Sequence, residues 1–130
     1  MSPREHVEAI ASAPERLSSC GRATPFCNVQ IMSDGKLLPD GEIGEMVVRS
    51  SGLMLGYYNL EEGAASTECN GWHLTGDVAF RDEAGFFYIV DRKKDMILVS
   101  GFNVFPNELE NVISLCPGVV ECAAIGIPDE

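Results

Sequence analysis

The chain has 130 residues, enough for one domain or for one small domain with part of a second. Hydrophobic residues make up 45% of the sequence and charged residues 22%, which is typical of globular proteins and excludes collagen-like repeats and coiled coils. Twenty acidic residues against nine lysines and arginines give a net charge of -11. Because this charge would repel nucleic acid phosphates, we expect no nucleic acid partner.

No run of the sequence approaches the roughly 18 consecutive apolar residues that a membrane-spanning helix requires. The first residues also lack the apolar core of a secretory signal peptide. We therefore expect a soluble, cytoplasmic protein.

The number of cysteines is odd, and they form neither a Cys-x-x-Cys pair nor a zinc-binding pattern with histidine. The sequence therefore predicts no metal site and no disulfide framework. In a reducing compartment such cysteines are expected to be small buried side chains. They are Cys20, Cys27, Cys69, Cys116 and Cys122.

The N-terminus carries a helix-start pattern, with Ser2 as the cap, a proline at the first helical position and Glu5 three residues after the cap. This pattern predicts a helix over residues 3–13. Only Val7 and Ile10 share an apolar face, so we expect a peripheral helix that is stabilised by packing against residues outside the helix.

Residues 26–91 are rich in β-branched and aromatic residues and are interrupted by turn signals such as Asp34-Gly35. This pattern predicts antiparallel strands joined by hairpins, with a turn at 82–85 joining the last pair. A short helix is also predicted at residues 59–66. The predicted strands are 29–32, 45–49, 72–74, 78–81 and 86–90.

Thr75-Gly76-Asp77 places a carboxylate just after a predicted strand, on a turn where Gly76 permits close approach of a ligand. A carboxylate can accept hydrogen bonds from two vicinal hydroxyls, which is how acidic residues bind a ribose. An aspartate that accepts hydrogen bonds from turn amides would give the same pattern. The preceding Trp72 is expected to be a packed anchor and His73 to be structural.

Three consecutive basic residues, Arg92-Lys93-Lys94, follow a predicted strand and precede an apolar run at 96–99. The change in composition predicts a domain boundary here. Arg92 could bring a forked guanidinium to ribose or phosphate oxygens, but a solvated run of charges is equally consistent with the pattern.

Pro106 opens a predicted helix that Pro117-Gly118 ends. The apolar residues at 119–127 then predict a strand buried on both faces. Since nothing follows to cover this strand, we expect the chain to end inside a domain. The predicted apolar face of the helix consists of Leu109, Val112, Ile113 and Cys116.

Five segments of the sequence together resemble the adenylate-forming (AMP-binding) enzymes, a family of acyl-CoA synthetases, luciferases and peptide-synthetase adenylation domains. The resemblance covers the chain from about Cys20, and the last segment is most similar to fatty acyl-CoA ligases. The segments are GEIGE at 41–45, LGYYN at 55–59, GWHLTGD at 71–77, YIVDRKKDMI at 88–97 and SGFNVFPNELE at 100–110.

The resemblance implies an α+β fold, with an antiparallel β-rich subdomain of distorted barrel shape followed by the start of a small α+β domain. Residues 1–92 would form the last part of the large N-terminal AMP-binding domain. Residues 93–130 would form the hinge and the incomplete start of the small C-terminal domain.

The family's reaction has two steps, in which a carboxylate attacks the α-phosphate of ATP to give an acyl adenylate and a thiol, usually of CoA, displaces AMP. By position in the matched motifs, Asp77 would bind the ribose hydroxyls and Arg92 would also contact the nucleotide. Lys94 matches the hinge, and Gly101 matches the channel for the pantetheine arm of CoA. The implied substrates are ATP, a fatty acid and CoA, with Mg²⁺ expected in the complete enzyme.

Three parts of the family's phosphate machinery are absent from the sequence: the phosphate loop with its lysine, the aromatic-Gly-x-Thr-Glu motif, and the Gly-Lys segment with the catalytic lysine. Ribose contacts alone could supply affinity but little rate. We therefore interpret the chain as a fragment of an acyl-CoA ligase that holds no catalytic residue and is inactive alone.

Two other interpretations of the sequence remain open. One is a relative that delivers the acyl group elsewhere, such as a fatty acyl-AMP ligase or a carrier-loading adenylation domain. The other is a non-catalytic docking module that uses the β-rich part as its docking surface. The edge and apolar face of the incomplete C-terminal element could also pair with another chain, including a second copy of this one. A membrane-peripheral location of the complete enzyme is compatible with each ligase interpretation.

Overall fold

The computed structural model describes residues 1–54 and 68–128. Within these residues, six antiparallel strands form one sheet curled into a half-barrel, followed by a two-stranded hairpin. One helix precedes the sheet and another follows the hairpin, so the predicted α+β class is confirmed. The elements are α1 (Pro3–Ser12), β1 (Cys27–Ser33), β2 (Lys36–Leu37), β3 (Gly44–Ser50), β4 (Glu68–Cys69), β5 (Trp72–Arg81), β6 (Phe87–Arg92), β7 (Ile97–Val99), β8 (Phe102–Val104) and α2 (Pro106–Ser114), with a 3-10 turn at Pro14–Ser18.

The long strand β5 is central to the sheet. It pairs with β3 along one edge, and with β4 and then β6 along the other. On the far side of β3, β1 lies between β3 and β2. Asp34 and Gly35, in the turn from β1 to β2, have φ values of 49° and 74°, as the Asp-Gly signal predicts. The predicted turn at 82–85 joins β5 to β6, and the amide of Asp82 donates to the carbonyl of Phe86 at 2.9 Å.

The sheet has a hydrophobic cluster on each of its faces. Ile31 and Met32 are neighbours in β1, so their side chains point to opposite faces, and both are buried. The strand register places the partners of each on its own face. One cluster consists of Ile31, Ala79 and Phe87, and the other consists of Met32, Val47 and Trp72.

Trp72 is a packed anchor, as the sequence predicted. Its ring is buried, and the guanidinium of Arg49 lies over it at 4.5 Å from the ring centre. The same guanidinium donates to the carbonyl of Gly71 at 2.8 Å and to that of Asn70 at 3.0 Å. The turn from β4 to β5 is thereby tied to β3.

The capping box predicted at the N-terminus is present in α1. The Ser2 hydroxyl accepts a hydrogen bond from the amide of Glu5 at 3.3 Å, and the Glu5 carboxylate accepts one from the amide of Ser2 at 2.7 Å. Ala9 is buried, whereas Val7 and Ile10 are exposed. The helix therefore buries a small apolar side chain, and its larger apolar residues face outward.

The strands predicted at 72–74 and 78–81 are a single strand, β5. The prediction was wrong because it read Gly76 as a strand end. Gly76 instead lies inside an irregular stretch of β5, where pairing with β3 resumes at Val78.

The strand predicted at residues 119–127 is not formed, and Val120 is 99% exposed. Apolar composition alone suggested a buried strand, but a strand needs a neighbour to share its hydrogen bonds, and none of the described strands pairs with this segment. It is held by α2 instead, since the amide of Ala124 donates to the Glu110 carboxylate at 2.8 Å. Self-association through this segment stays a prediction.

The predicted C-terminal helix is confirmed as α2, but its apolar face is not covered. Leu109, Val112 and Ile113 are all exposed. The cysteines also differ from expectation, because Cys20 and Cys116 are exposed and the other three are only partly buried. The predicted helix at 59–66 and the segment LGYYN at 55–59 lie outside the described residues. No helix in the described part of the chain is long and apolar enough to cross a lipid bilayer.

Gly44 begins β3 at a point where there is no room for a side chain. A Cβ added there would lie 2.7 Å from the carbonyl oxygen of Met32 and 2.9 Å from Cδ1 of Leu38. We expect Gly44→Ala to lower the free energy of unfolding by about 2 kcal/mol, as overpacking typically does. Urea denaturation measures this, with Gly52→Ala as control, because a Cβ at Gly52 would meet only Ser50 Oγ at 3.7 Å. Equal stabilities of the two variants would contradict the crowding at Gly44.

Hydrogen bonds from the Ser2 amide and from the Arg22 guanidinium lower the pKa of Glu5 from 4.5 to about 2. Because the pKa is lower in the folded chain, this contribution to stability is present above pH 4.5 and is lost as the pH falls towards 2. An NMR titration of the Glu5 carboxylate checks the value. We expect Arg22→Met to raise this pKa, and an unchanged titration would argue against the Arg22 contact.

Candidate functional site

A bulge in β5 carries the candidate ribose ligand. Val47 and Glu45 of β3 lie opposite Leu74 and Val78 of β5, so two steps along β3 face four steps along β5. Residues 75–77 therefore leave the regular ladder with β3. Bulges of this kind bend a strand and redirect its side chains, and they are frequent next to functional sites.

Side-chain hydrogen bonds hold the bulge in place. The Thr75 hydroxyl donates to the carbonyl of Met46 at 2.7 Å and accepts a hydrogen bond from the amide of Asp77 at 3.1 Å. The amide of Gly76 donates to Oε1 of Glu45 at 3.1 Å. Gly76 has a φ of 76°, which glycine adopts without strain. The conformation before Asp77 is thus fixed by hydrogen bonds to β3 and by one within the bulge.

Asp77 and Arg92 lie directly opposite each other in the ladder between β5 and β6. Nε of Arg92 is 2.7 Å from Oδ1 of Asp77, and the two groups form an ion pair. The Asp77 side chain is 21% exposed and the Arg92 side chain 59% exposed, so a ligand can reach both. The structure therefore brings together the two residues predicted to bind a nucleotide.

The ion pair presents complementary hydrogen-bonding groups to a ligand. A carboxylate accepts, and it can take hydrogen bonds from two neighbouring hydroxyls. A guanidinium donates through its N–H groups to oxygen atoms such as those of a phosphate or a ribose. The arrangement suits a molecule that carries vicinal hydroxyls close to an acceptor-rich group.

The predicted hinge residue Lys94 lies in the turn directly after β6. The amide of Asp95 closes this turn on the carbonyl of Arg92 at 3.1 Å, and the amide of Lys93 donates to the carbonyl of Gly76 at 2.8 Å. After the turn, no described strand belongs to the main sheet, since β7 and β8 pair only with each other. Lys94 thus marks the end of the main sheet, and its role as a hinge stays a prediction.

Gly101 is not part of the ion pair but lies at the tip of the hairpin between β7 and β8. Ser100 and Gly101 have φ values of 50° and 87°, so the hairpin turns tightly. No described atom lies within 4 Å of the position that a Cβ of Gly101 would take, apart from its chain neighbours. Its contact with a pantetheine arm stays a prediction.

A groove of about 320 Å³ lies between the main sheet and the elements that follow the turn. Glu45 and Lys93 contribute polar groups to its lining, and Phe105 contributes an apolar one. Neither Asp77 nor Arg92 lines the groove. The groove and the ion pair are therefore separate features of this surface.

Sequence reasoning missed Glu45, which supports the site from β3. Its Oε2 is 2.7 Å from Nζ of Lys93, and its side chain is only 10% exposed. The alternation of β3 places Glu45 on the same face as the buried Val47. A carboxylate on the apolar face of a strand was the signal that could have identified it.

Asp91 was also missed, although it is buried and directly precedes Arg92 in sequence. Its Oδ1 accepts a hydrogen bond from the amide of Arg92 at 2.7 Å, and its Oδ2 accepts one from the amide of Asn107 at 3.1 Å. Phe105, at the cap position of α2, provides no side-chain cap. Asp91 therefore caps α2 from β6 and links this helix to the backbone of Arg92.

Comparison with known proteins finds similar sequences over most of the chain. A model of the AMP-binding enzyme family matches residues 6–58. The medium/long-chain-fatty-acid–CoA ligase FadD8 of Mycobacterium tuberculosis is 47% identical over 117 residues, which are 89% of this chain and 20% of that protein. The long-chain-fatty-acid–CoA ligase of Escherichia coli O6:H1 is 48% identical over 111 residues, 85% of this chain and 20% of that protein. Over most of its length the chain is therefore similar to AMP-binding enzymes.

Solved structures of adenylate-forming enzymes match the fold as well. The o-succinylbenzoate CoA synthetase of Bacillus subtilis, in complex with an acyl-adenylate intermediate, has a TM-score of 0.80 and 32% identity, and covers 100% of this chain and 25% of that one. ATP-bound MatB from Rhodopseudomonas palustris has a TM-score of 0.78 and 38% identity, covering 85% of this chain and 23% of that one. The chain spans about a fifth of the length of the curated relatives it matches.

Removing the Asp91 carboxylate leaves the amides of Arg92 and Asn107 without their acceptor. We expect Asp91→Ala to lower the free energy of unfolding by about 2 kcal/mol, the typical cost of unsatisfied buried groups. Asp91→Asn keeps one acceptor and should lose less. Denaturant unfolding measures both, with the exposed Asp95→Ala as a control of the same chemistry. A loss for Asp91→Ala no larger than that for Asp95→Ala would show that the cap is dispensable.

Proposed function

We propose that this chain supplies the ribose-binding part of an ATP-dependent acyl-CoA ligase. In the first step of the reaction, the carboxylate of a fatty acid attacks the α-phosphate of ATP, giving the acyl adenylate and pyrophosphate. In the second step, the thiol of CoA attacks the acyl carbonyl carbon, and AMP leaves. The proposal covers the whole enzyme, of which this chain would be the part around the nucleotide sugar.

The observation that carries this proposal is the ion pair between Asp77 and Arg92, set opposite each other where β5 bulges. The relatives named fatty-acid–CoA ligases support the choice of substrate class, at 47% and 48% identity. The structural match to a synthetase that holds an acyl adenylate extends over the whole chain, including both residues.

Each residue has a distinct role in this proposal. Asp77 accepts hydrogen bonds from the two ribose hydroxyls, and this contact is the same before and after the adenylate forms. Arg92 orients the Asp77 carboxylate and offers its outward N–H groups to the nucleotide. Binding that is equal in both states lowers the KM for ATP more than it raises kcat. The groups that act on the transferring phosphoryl group would belong to other parts of the enzyme.

The division of the chain is part of the same proposal. Residues 1–92 would end the large domain, and residues 93–130 would begin the small domain, with Lys94 at the hinge between them. The end of the main sheet after β6 supports this boundary. Gly101, at an open hairpin tip, would leave room for the narrow pantetheine arm of CoA.

Mg²⁺ would enter the reaction together with the phosphates of ATP. Within residues 1–54 and 68–128, no three His, Cys, Asp or Glu side chains converge as a metal site. We therefore assign no metal ligand to the described residues, and Asp77 is assigned to the sugar. When bound, the ion would neutralise charge on the phosphates.

The test uses a chimera in which this chain replaces the matching segment of the Escherichia coli ligase. We expect Asp77→Ala to raise the KM for ATP about a hundredfold, because two hydrogen bonds to a charged group are lost. The expected change in kcat is much smaller. Fatty-acid-dependent exchange of pyrophosphate into ATP measures both constants.

Glu83→Ala is the control, since Glu83 lies in the exposed turn between β5 and β6. An Asp77→Ala chimera with an unchanged KM for ATP would refute the assignment. Release of AMP separates the acceptors: a CoA ligase releases AMP only when CoA is added, whereas a fatty acyl-AMP ligase retains the adenylate. Retention of the adenylate after CoA is added would favour the alternative acceptor.

A further inference from the structure

One carboxylate joins the two strands that carry the ion pair. Oε1 of Glu45 accepts the amide of Gly76, the residue before Asp77, at 3.1 Å. Oε2 of the same side chain is 2.7 Å from Nζ of Lys93, the residue after Arg92. Glu45 thus contacts the sequence neighbours of both Asp77 and Arg92, without contacting either.

The environment of Glu45 makes these two contacts strong. Its side chain is 10% exposed, whereas the Lys93 side chain is 58% exposed. A carboxylate with so little access to water depends on its protein partners for stabilisation. Hydrogen bonds to an ionised group are shorter and stronger than neutral ones. The Glu45 carboxylate is therefore kept in one position on β3. It restrains the Gly76 amide and the Lys93 ammonium group that it contacts.

Glu45 holds a segment that the regular strand pairing with β3 does not, and it adds to the hydrogen bonds that Thr75 makes there. Gly76 has no side chain, its φ is 76°, and residues 75–77 have left the ladder with β3. A glycine in a bulge has many alternative conformations. Ordering such a segment on ligand binding costs free energy, and a preformed segment avoids this cost.

We propose that Glu45 is a positioning residue for the nucleotide-binding pair. It fixes the bulge before Asp77 through Oε1, and it fixes the start of the turn after Arg92 through Oε2, so that the spacing of the two side chains is set before ATP binds. This inference rests on the proposed function of Asp77 and Arg92. It adds a residue from a third strand, which makes no contact with the nucleotide itself.

Kinetics on the active chimera test the proposal. We expect Glu45→Ala to raise the KM for ATP about tenfold, the factor for loss of one charge-assisted hydrogen bond, with kcat changed less than about twofold. Glu45→Gln should restore most of the affinity, because its amide oxygen can still accept from Gly76. Lys93→Gln removes only the ion pair and should match Glu45→Gln. Glu42→Ala is the control, an exposed glutamate three residues earlier in the chain.

Hydrogen exchange of the Gly76 amide, measured by NMR on the 130-residue chain, reports on positioning without any activity. We expect exchange to be about tenfold faster in Glu45→Ala, and close to the parent value in Glu45→Gln and Glu42→Ala, because the exchange rate follows the loss of one hydrogen bond. A purely structural role would lower stability in Glu45→Ala and leave the exchange of Gly76 and the KM for ATP unchanged.

The outcomes separate this inference from the function it rests on. If Asp77→Ala leaves the KM for ATP unchanged, the proposed function fails, while Gly76 exchange still decides whether Glu45 holds the bulge. If Asp77→Ala raises the KM and Glu45→Ala does not, the function stands and the positioning role is overturned. Equal effects of Glu45→Gln and Glu45→Ala would also overturn it, since only the alanine variant loses the contact with Gly76.

Discussion

The antiparallel pairing of β5 with β6 is the constraint on which the candidate site depends. It sets Asp77 opposite Arg92, although the two residues are 15 positions apart in sequence. The hairpin turn at 82–85 sets the first part of that register, and an irregularity between Val78 and Ala79 shifts it by one residue, which brings Asp77 opposite Arg92. The hydrophobic clusters on both faces keep the register, because a slip of one residue would move each buried side chain to the wrong face.

Signals confined to a few neighbouring residues predicted much of the fold. The capping pattern at Ser2 and Glu5 gave the first helix, the Asp34-Gly35 turn gave the first hairpin, and Pro106 gave the start of the second helix. Asp77 and Arg92 were named from their types and from the motifs around them. The ion pair between them was not predicted, because it depends on the register of β5 and β6.

Features that depend on distant parts of the chain escaped prediction. The bulge at 75–77 exists because Met46 and Glu45, about 30 residues earlier, bind its polar groups. The prediction of a strand at 119–127 was wrong because it also depends on distant residues. Its composition suits a strand, but it has no partner strand in the described sheets. Periodicity shows which side chains prefer burial, but it does not show which backbone will pair with them.

The buried carboxylate of Asp91 has a mechanical consequence for any motion about the turn at 93–95. Its two oxygens bind amides on opposite sides of that turn, one on Arg92 and one on Asn107. A rotation that carries α2 away must therefore break one bond outright, whereas small displacements only strain it. This hydrogen bonding favours two discrete conformations over gradual bending. In the conformation without the bond to Asp91, the Asn107 amide would need a new acceptor.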